Sequence, residues 1–199
     1  MKLFTRTLVL LVAVMLFSMA GFAATFATGN TSSTSVSPTL KVNVNVQNAV
    51  ELTLSNGASG THCNISAGAP QDYQIDFGNV NGLGVGTPTC GTVSTAATDA
   101  TYVTDYQITP TFSGFTSNTG SIAIGATAFS NPGTLTLKEG AAAGTVAAVP
   151  VTPAVVVNNA ASGTPITRYL GVTVTRVNGA GAYTGNTDSS VVTFTLTVP

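Results

Sequence analysis

Apolar and polar residues alternate along much of the chain, and the alternation is most regular between residues 40 and 54. In that stretch the apolar residues stand at even-numbered positions up to Val46 and again from Val50, mostly with polar residues between them. This period of two is typical of a β-strand with one buried face. Because the stretch is much longer than an ordinary strand of about 5–6 residues, and Asn48 interrupts it, we predict that it bends or divides near residues 47–49.

Further short runs with strand character continue to the end of the chain, separated by Gly, Pro, Asn and Ser residues of the kind that form turns. They cover residues 73–80, 101–115, 121–129, 133–138, 146–158, 167–177 and 189–198. Pro110 should lie at a sheet edge or a bulge, since proline cannot donate to a strand ladder. Residues 140–144 are too short and glycine-bounded for more than a loop or one turn. About seven to nine such strands predict a single antiparallel β-sandwich domain over residues 39–199.

The beginning of the chain has the layout of an export signal. Two basic residues are followed by an apolar segment over residues 8–20 and then by small residues. This order is that of a secretory signal peptide, and the apolar segment is shorter than the roughly 20 residues of a membrane-spanning helix. We therefore predict a signal peptide over residues 1–23 that is cleaved after Ala23, with cleavage after Ala27 as the alternative. A flexible Ser/Thr-rich leader would follow over residues 24–38.

Charged residues are scarce, which limits the classes of partner. They make up 7% of the chain, against about 25% in ordinary globular domains. Removal of the signal would leave four basic and seven acidic residues, a net charge of −3, so the chain lacks the cationic patch that nucleic-acid binding requires. A weakly charged surface tends to associate, which suits an extracellular assembly; the alternative is that low charge only reflects a particular secreted environment.

The two cysteines, Cys63 and Cys90, predict one disulfide. They are the only cysteines in a chain with an export signal, and exported proteins form and keep disulfides. In the chain-entropy model a loop of this length contributes about 3 kcal/mol of stability. A metal site that includes His62 is disfavoured, because a histidine next to a cysteine does not provide the paired spacing of zinc ligands.

No constellation of residues points to catalysis. His62 is the only histidine, and a lone histidine in a Gly/Ser-rich loop is more typically solvated than a general base. The motifs of serine hydrolases, zinc peptidases and phosphate-binding loops do not occur. Asp72 and Asp76 on one strand would be about 13 Å apart, which is farther than the about 5–9.5 Å between glycosidase carboxyl groups. We predict that the protein is not an enzyme and uses neither cofactor nor metal.

Several features, taken in order, resemble a known family. They are the alternating residues 40–46, a first strand followed by Cys63, the motif Asp76-Phe77-Gly78 before Cys90, and a terminal segment over residues 181–195. In this order the chain resembles the spore coat protein U / Csu-type family of chaperone–usher pilins. The resemblance extends over nearly all of the chain that follows the signal.

The resemblance implies an incomplete immunoglobulin-like sandwich that lacks its last strand and exposes an apolar groove. A periplasmic chaperone would fill the groove first, and at the outer-membrane usher the N-terminal extension of an identical or related subunit would replace it. The donated residues would be Leu40, Val42, Val44 and Val46. Head-to-tail addition of this kind builds an open filament, so the predicted function is that of a structural subunit of a surface pilus.

The alternative is a monomeric secreted β-sandwich whose residues 40–46 pair within its own sheet. Long loops at residues 92–100 and 140–153 suit such a self-complete domain, which would act as an adhesin or carbohydrate-binding module. The chain has no Trp, and its five tyrosines stand mostly at strand-like positions. The sequence therefore shows no binding face for a carbohydrate.

Overall fold

The computed structural model describes residues 41–45, 47–176 and 187–199. The predicted signal peptide and leader, Leu40, Val46 and residues 181–186 of the terminal segment lie outside the described residues. The protein is all-β, with antiparallel sheets packed against each other. The predicted antiparallel β-sandwich is confirmed.

The described residues contain thirteen strands and one 3₁₀ turn, Ala143–Thr145, which overlaps the predicted turn at residues 140–144. In chain order the strands are β1 (Ala49–Asn56), β2 (Ser66–Gly68), β3 (Gln71–Gln74), β4 (Gly78–Asn79), β5 (Thr87–Pro88), β6 (Thr92–Thr95), β7 (Asp99–Ser113), β8 (Thr119–Ala126), β9 (Leu135–Gly140), β10 (Ala147–Ala148), β11 (Ala154–Ala161), β12 (Ile166–Thr175) and β13 (Val192–Thr197). The first strand begins at Ala49, where the alternation of residues 40–54 is interrupted.

Two sheets form the sandwich, and β7 organises the larger one. The larger sheet has the order β1-β7-β12-β9-β10, with β6 also paired to β7, and the smaller has the order β11-β8-β13. Since β12 occupies one side of β7, β1 and β6 share the other: β1 pairs from Tyr106 to Ser113 and β6 from Ala100 to Val103. Two short hairpins, β2–β3 and β4–β5, lie in the long connection between β1 and β6.

The core lies between the sheets and forms two clusters. One is built on Tyr102 and Val172, and the other on Tyr106, Ile108 and Ile122. The even-numbered residues of β7 face this core, as the alternation in the sequence predicts, and Tyr102 and Ile108 are only 1% exposed. The second cluster also receives half-buried side chains from β1 and β13, and these two strands carry the candidate site.

The alternation from Tyr73 predicts a strand that ends or bulges at Gly78, and this prediction was wrong about where the strand ends. β3 ends at Gln74 and β4 begins at Gly78, because the carboxylate of Asp76 accepts a hydrogen bond from the backbone N–H of Gly78 at 2.8 Å and so closes a local turn. Gly78 has φ +71°, and a Cβ atom there would lie 2.9 Å from the backbone nitrogen of Thr89. The motif Asp76-Phe77-Gly78 is thus a turn that needs its glycine.

Pro110 lies inside β7, beyond the point where β12 stops pairing with that strand. It is fully buried and stands opposite Leu52 of β1. On the other side β12 pairs only as far as Ile108, which faces Ile166. The missing N–H of Pro110 therefore does not interrupt the β7–β12 ladder, and its carbonyl accepts a hydrogen bond from Gly163 at 2.7 Å.

Candidate functional site

Two strands of the sandwich each have a free edge. Within the described residues β1 pairs only with β7, and β13 pairs only with β8, from Val192 opposite Ala126 to Thr197 opposite Ser121. An unpaired strand edge presents a row of N–H and C=O groups that can bond to another extended chain. Both edges are therefore able to accept a further strand.

The free edges of β1 and β13 lie on the same side of the sandwich. The ring of Tyr106, on the strand beside β1, meets the ring of Phe194 of β13 edge to face, with the ring centroids 6.0 Å apart. Leu52 of β1 and Leu196 of β13 pack against the same core cluster. The two edges consequently flank one groove, which we call the β1–β13 groove.

On the opposite side of the sandwich the chain itself bridges the two sheets. The connection between β10 and β11 passes from one sheet to the other, and its backbone bonds to both. Val149 donates a hydrogen bond to the carbonyl of Leu137 in β9, and the carbonyl of Pro150 accepts one from Ala126 in β8, each at 3.0 Å. On the β1–β13 side no backbone hydrogen bond of this kind bridges the sheets among the described residues, and the connection between β1 and β6 contributes only the half-buried Ile65 and Ile75 to the core cluster.

The apolar side chains that line the β1–β13 groove are incompletely buried. On β13 the inward Val192, Phe194 and Leu196 are half-buried and alternate with exposed threonines. On β1 the inward Leu52 is half-buried and Val50 is 56% exposed. Full burial of a side chain of this size contributes about 1.5–3 kcal/mol relative to full exposure. An extended segment with apolar residues at every second position has the spacing that would cover these side chains.

The candidate donor residues are present but only partly described. Leu40 and Val46 lie outside the described residues. Val42 is 72% exposed and Val44 is 77% exposed, and residues 41–45 are in no strand. Two alternate valines with this exposure have the side-chain spacing that an extended segment needs in order to fill such a groove.

Cys63 and Cys90 form the predicted disulfide, with their Cα atoms 4.8 Å apart. Cys63 is fully buried, and its backbone N–H donates to the hydroxyl of Thr104 at 2.7 Å. Next to it, the backbone N–H of Gly91 donates to the carbonyl of Thr61 at 2.6 Å. The disulfide thus links two parts of the connection between β1 and β6. The hydrogen bond from Cys63 to Thr104 fastens this connection to the middle of β7, where neither β1 nor β6 pairs.

A buried carboxylate, which was not expected from the sequence, fixes the same connection. Asp105 of β7 is 4% exposed and accepts hydrogen bonds from the hydroxyl and, at 2.9 Å, from the backbone N–H of Ser59. Burial alone would raise the pKa of Asp105, but these bonds and the nearby His62 hold it below its ordinary value. His62 bonds through Nδ1 to the carbonyl of Ser59 and not to its hydroxyl, so the three residues do not form a nucleophile–base pair.

Replacement of Asp105 by Asn should lower the free energy of unfolding by about 1.5–3 kcal/mol, the value of a hydrogen bond to a charged group. Because the pKa of Asp105 is lowered on folding, this stabilisation is complete above the pKa of the unfolded chain, about 3.9, and is lost as the pH falls through the folded pKa. Urea unfolding from pH 7 to pH 3 should therefore show the difference between wild type and Asp105→Asn shrinking in acid. Asp72→Asn, at an exposed position, is the control and should change little.

A buried ion pair lies within the larger sheet, and its arginine also bonds to the smaller sheet. Arg168 of β12 contacts Glu139 of β9 through two parallel bonds, Nε to Oε1 at 2.6 Å and Nη2 to Oε2 at 2.7 Å. The hydroxyl of Tyr106 donates to the same carboxylate at 3.2 Å, and Nη1 of Arg168 donates to the carbonyl of Val156 in β11 at 3.3 Å. The bond to Glu139 raises the pKa of Arg168, and burial, followed by the charge of Glu139, raises the pKa of Tyr106. The arrangement keeps the pair charged and stabilises the packing of β11 on the larger sheet.

The sequence does contain a signal for this pair. Arg168 shares its parity with Leu170 and Val172, and Glu139 shares its parity with Leu137. Arg168 therefore stands at a core-facing position of a predicted strand. Glu139 continues the core-facing parity one residue beyond the strand predicted over residues 133–138, and a single charge at either position would be costly. Two opposite charges of this kind in one small domain indicate a buried pair.

Asp188 fixes the start of β13. Its carboxylate accepts hydrogen bonds from the hydroxyl of Ser130 at 3.0 Å and from the backbone N–H of Ser189 at 2.8 Å. Burial would raise the pKa of Asp188, but these bonds keep it below its ordinary value. The carboxylate thus ties the loop after β8 to the strand that borders the groove.

Two open depressions lie on the surface of the described residues. One, of about 390 Å³, is lined by Phe112, Phe115 and several serines, but the hydroxyls of Ser117 and Ser162 already bond to backbone groups. The other, of about 340 Å³, lies between β1 and the β2–β3 hairpin and includes Tyr73. Neither one brings together groups for general acid–base chemistry.

In the part of the chain that is described, no three His, Cys, Asp or Glu side chains lie close enough to hold a metal ion. No helix among residues 41–45, 47–176 and 187–199 is long and apolar enough to span a bilayer. No protein-family model matches the chain, and neither a curated protein nor a solved structure shows significant similarity to it.

Proposed function

We propose that the protein is a structural, non-enzymatic subunit of an extracellular fibre that polymerises by strand exchange. Residues 40–46 of one molecule would occupy the β1–β13 groove of the next. The observation that carries the proposal is the groove itself: two free strand edges face each other across apolar side chains that remain half-exposed. The same chain supplies a suitable occupant in Val42 and Val44, which are 72% and 77% exposed.

The strand order supports an immunoglobulin-like sandwich with one strand missing. A seven-stranded immunoglobulin domain has the sheets A-B-E-D and C-F-G. Here β1, β7, β12 and β9 follow the order of the first sheet, and β8 and β13 correspond to strands C and F. No described strand stands beside β13 in the place of strand G. A donated strand in the β1–β13 groove would fill that place.

Strand addition also accounts for affinity and register. Backbone hydrogen bonds to the free edges would supply affinity, and alternate side chains inserted between the sheets would set the register. Because each molecule donates at one site and accepts at another, the contact does not close and builds a filament. An open groove exposes a subunit to unwanted edge pairing, so a periplasmic chaperone and an outer-membrane usher are the partners we propose during export to the cell surface.

The proposal is tested by placing a charge on either face of the donor segment. In the mature chain, residues 24–199, Val44→Asp should reduce polymer formation at least about tenfold, because the added carboxylate would be buried without a partner. Asn43→Asp adds the same charge on the opposite face and should polymerise like wild type. Polymer is measured by size-exclusion chromatography with light scattering and by electron microscopy.

Equal polymerisation of Val44→Asp and Asn43→Asp would contradict the proposal. A wild-type chain that stays monomeric, with the backbone amides of residues 41–45 protected from hydrogen exchange, would instead indicate a self-complete secreted module. A synthetic peptide covering residues 39–48 provides a second measurement. It should bind Val44→Asp, whose groove is unchanged.

A further inference from the structure

A glycine at the end of β7 holds the chain just before β1. Gly114 has φ +84°, and a Cβ atom on it would lie 2.8 Å from Oδ1 of Asn48, 2.9 Å from the carbonyl oxygen of Gln47 and 3.0 Å from the Cα of Asn48. Real Cβ atoms essentially never approach backbone this closely. Only glycine at this position leaves room for Gln47 and Asn48 to pack where they do. Gly114 is therefore the packing site for these two residues.

Gly114 contacts the chain at the point where residues before β1 could otherwise fold back as a hairpin. If residues 46–48 formed a three-residue hairpin loop, residues 40–45 would pair with the free edge of β1. Val44 would then stand opposite Val50, and Val42 opposite Leu52. Directly opposed residues of an antiparallel pair share a face, so both valines would enter the molecule's own groove. The alternation of side chains therefore does not by itself prevent residues 40–45 from pairing with β1 of the same molecule.

Self-pairing would also have a large kinetic and thermodynamic advantage. A segment joined by a short linker is present at an effective concentration in the millimolar range, far above that of a second molecule in dilute solution. A chain free to form the hairpin would fill its own groove before a neighbour could do so. Assembly by strand exchange thus needs a feature that disfavours the hairpin.

The conformation of Asn48 provides this feature. A three-residue hairpin loop ends with a residue in the left-handed region, which here would be Asn48, and asparagine adopts that region more readily than most residues. In the described residues, Asn159 is the only non-glycine residue with a positive φ. Asn48 is therefore outside the hairpin conformation while it lies against Gly114.

We propose that Gly114 is a positioning residue that keeps Gln47 and Asn48 out of a hairpin and so reserves the β1–β13 groove for the strand of a second copy. The inference rests on the proposed function, because it concerns which molecule fills that groove. It assigns a role to a loop glycine 66 positions away from Asn48 in sequence. Its immediate consequence concerns the monomer and is measurable without any polymer.

The test compares two glycines with similar backbone angles. Gly163 has φ +74°, and a Cβ atom on it would meet nothing within 4 Å, so Gly163→Ala introduces the backbone strain without the collision. Gly114→Ala adds the collision with Gln47 and Asn48. Both variants are made in the mature chain and studied by hydrogen exchange of the monomer and by polymerisation kinetics.

In wild type and Gly163→Ala, the amides of residues 41–45 should exchange freely in the monomer. In Gly114→Ala the same amides should become protected at least about tenfold, and the polymerisation rate should fall by a similar factor, since a tenfold change in an equilibrium corresponds to about 1.4 kcal/mol. Protection in the wild-type monomer, or equal exchange in the two alanine variants, would overturn the inference. Loss of polymer without protection of residues 41–45 would overturn it as well.

A second pair of variants keeps the inference testable if Gly114→Ala does not fold. Asn48→Gly favours the left-handed conformation and should increase protection of residues 41–45. Asn48→Pro fixes φ near −65° and should leave them exposed. Identical exchange in these two variants would overturn the inference. If wild type is unprotected but does not polymerise, the proposed function fails while the role of Gly114 is still decided by the exchange data.

Discussion

Replacement of Glu139 by Ala is expected to lower the free energy of unfolding by about 3–5 kcal/mol, the range for removal of one member of a buried ion pair. Arg168 is only 8% exposed and would lose both of its bonds to the carboxylate. The bond from Nη1 to the carbonyl of Val156 would remain, but it does not compensate a buried positive charge. Urea denaturation at pH 7, with the m-value compared to wild type, measures the loss.

The matched control removes both charges. Glu139→Ala combined with Arg168→Met leaves no unpaired charge and should recover a large part of the lost stability, since apolar replacements of buried pairs are often neutral or stabilising. Tyr106→Phe removes only the hydroxyl bond and should cost less than Glu139→Ala, about 1.5–3 kcal/mol. If the double variant is less stable than Glu139→Ala, the loss does not come from the unpaired arginine and the explanation fails.

Replacement of both Cys63 and Cys90 by Ala should lower the free energy of unfolding by about 3 kcal/mol. The disulfide closes a loop with a sequence separation of 27, and without it the unfolded chain gains conformational freedom. Alanine is preferred to serine at these positions because Cys63 is fully buried and a hydroxyl there would need a new partner. Denaturation of the variant, and of wild type with and without reductant, measures the effect.

The control for the disulfide is the wild-type protein after reduction. Reduced wild type and the double alanine variant should have similar midpoints of denaturation, both well below that of the oxidised protein. An oxidised protein no more stable than the reduced one would show that the loop between β1 and β6 is already held by the bonds of Ser59 to Asp105 and of Cys63 to Thr104.

Local pattern accounts for most of the strands. β7, β12 and β13 follow the alternation in the sequence because a strand exposes every second residue to the same face. The prediction was wrong between residues 75 and 77, where the alternation of Tyr73, Ile75 and Phe77 suggested a strand as far as Gly78. There a side chain competes with the sheet: the carboxylate of Asp76 bonds to the N–H of Gly78 and provides a turn in place of a ladder.

Contacts between distant residues explain what pattern did not predict. Ser59 bonds to Asp105, and Gly114 packs closely against Asn48. The residues of each pair are far apart in the sequence, and no periodicity predicts such contacts. The alternating residues 40–46 were proposed as a donor strand from resemblance. The groove that would receive them became visible only when β1 and β13, at opposite ends of the domain, lay on the same side of the sandwich.

By itself, the sequence determined the fold class, the division of the first alternating stretch near Asn48 and the only possible disulfide, because these depend on local spacing and on the presence of two cysteines. The tertiary structure alone decided which strands remain unpaired, which charges are buried together and why residue 114 is a glycine. These properties depend on packing between segments far apart in the chain, where the geometry of the sheets sets the contacts.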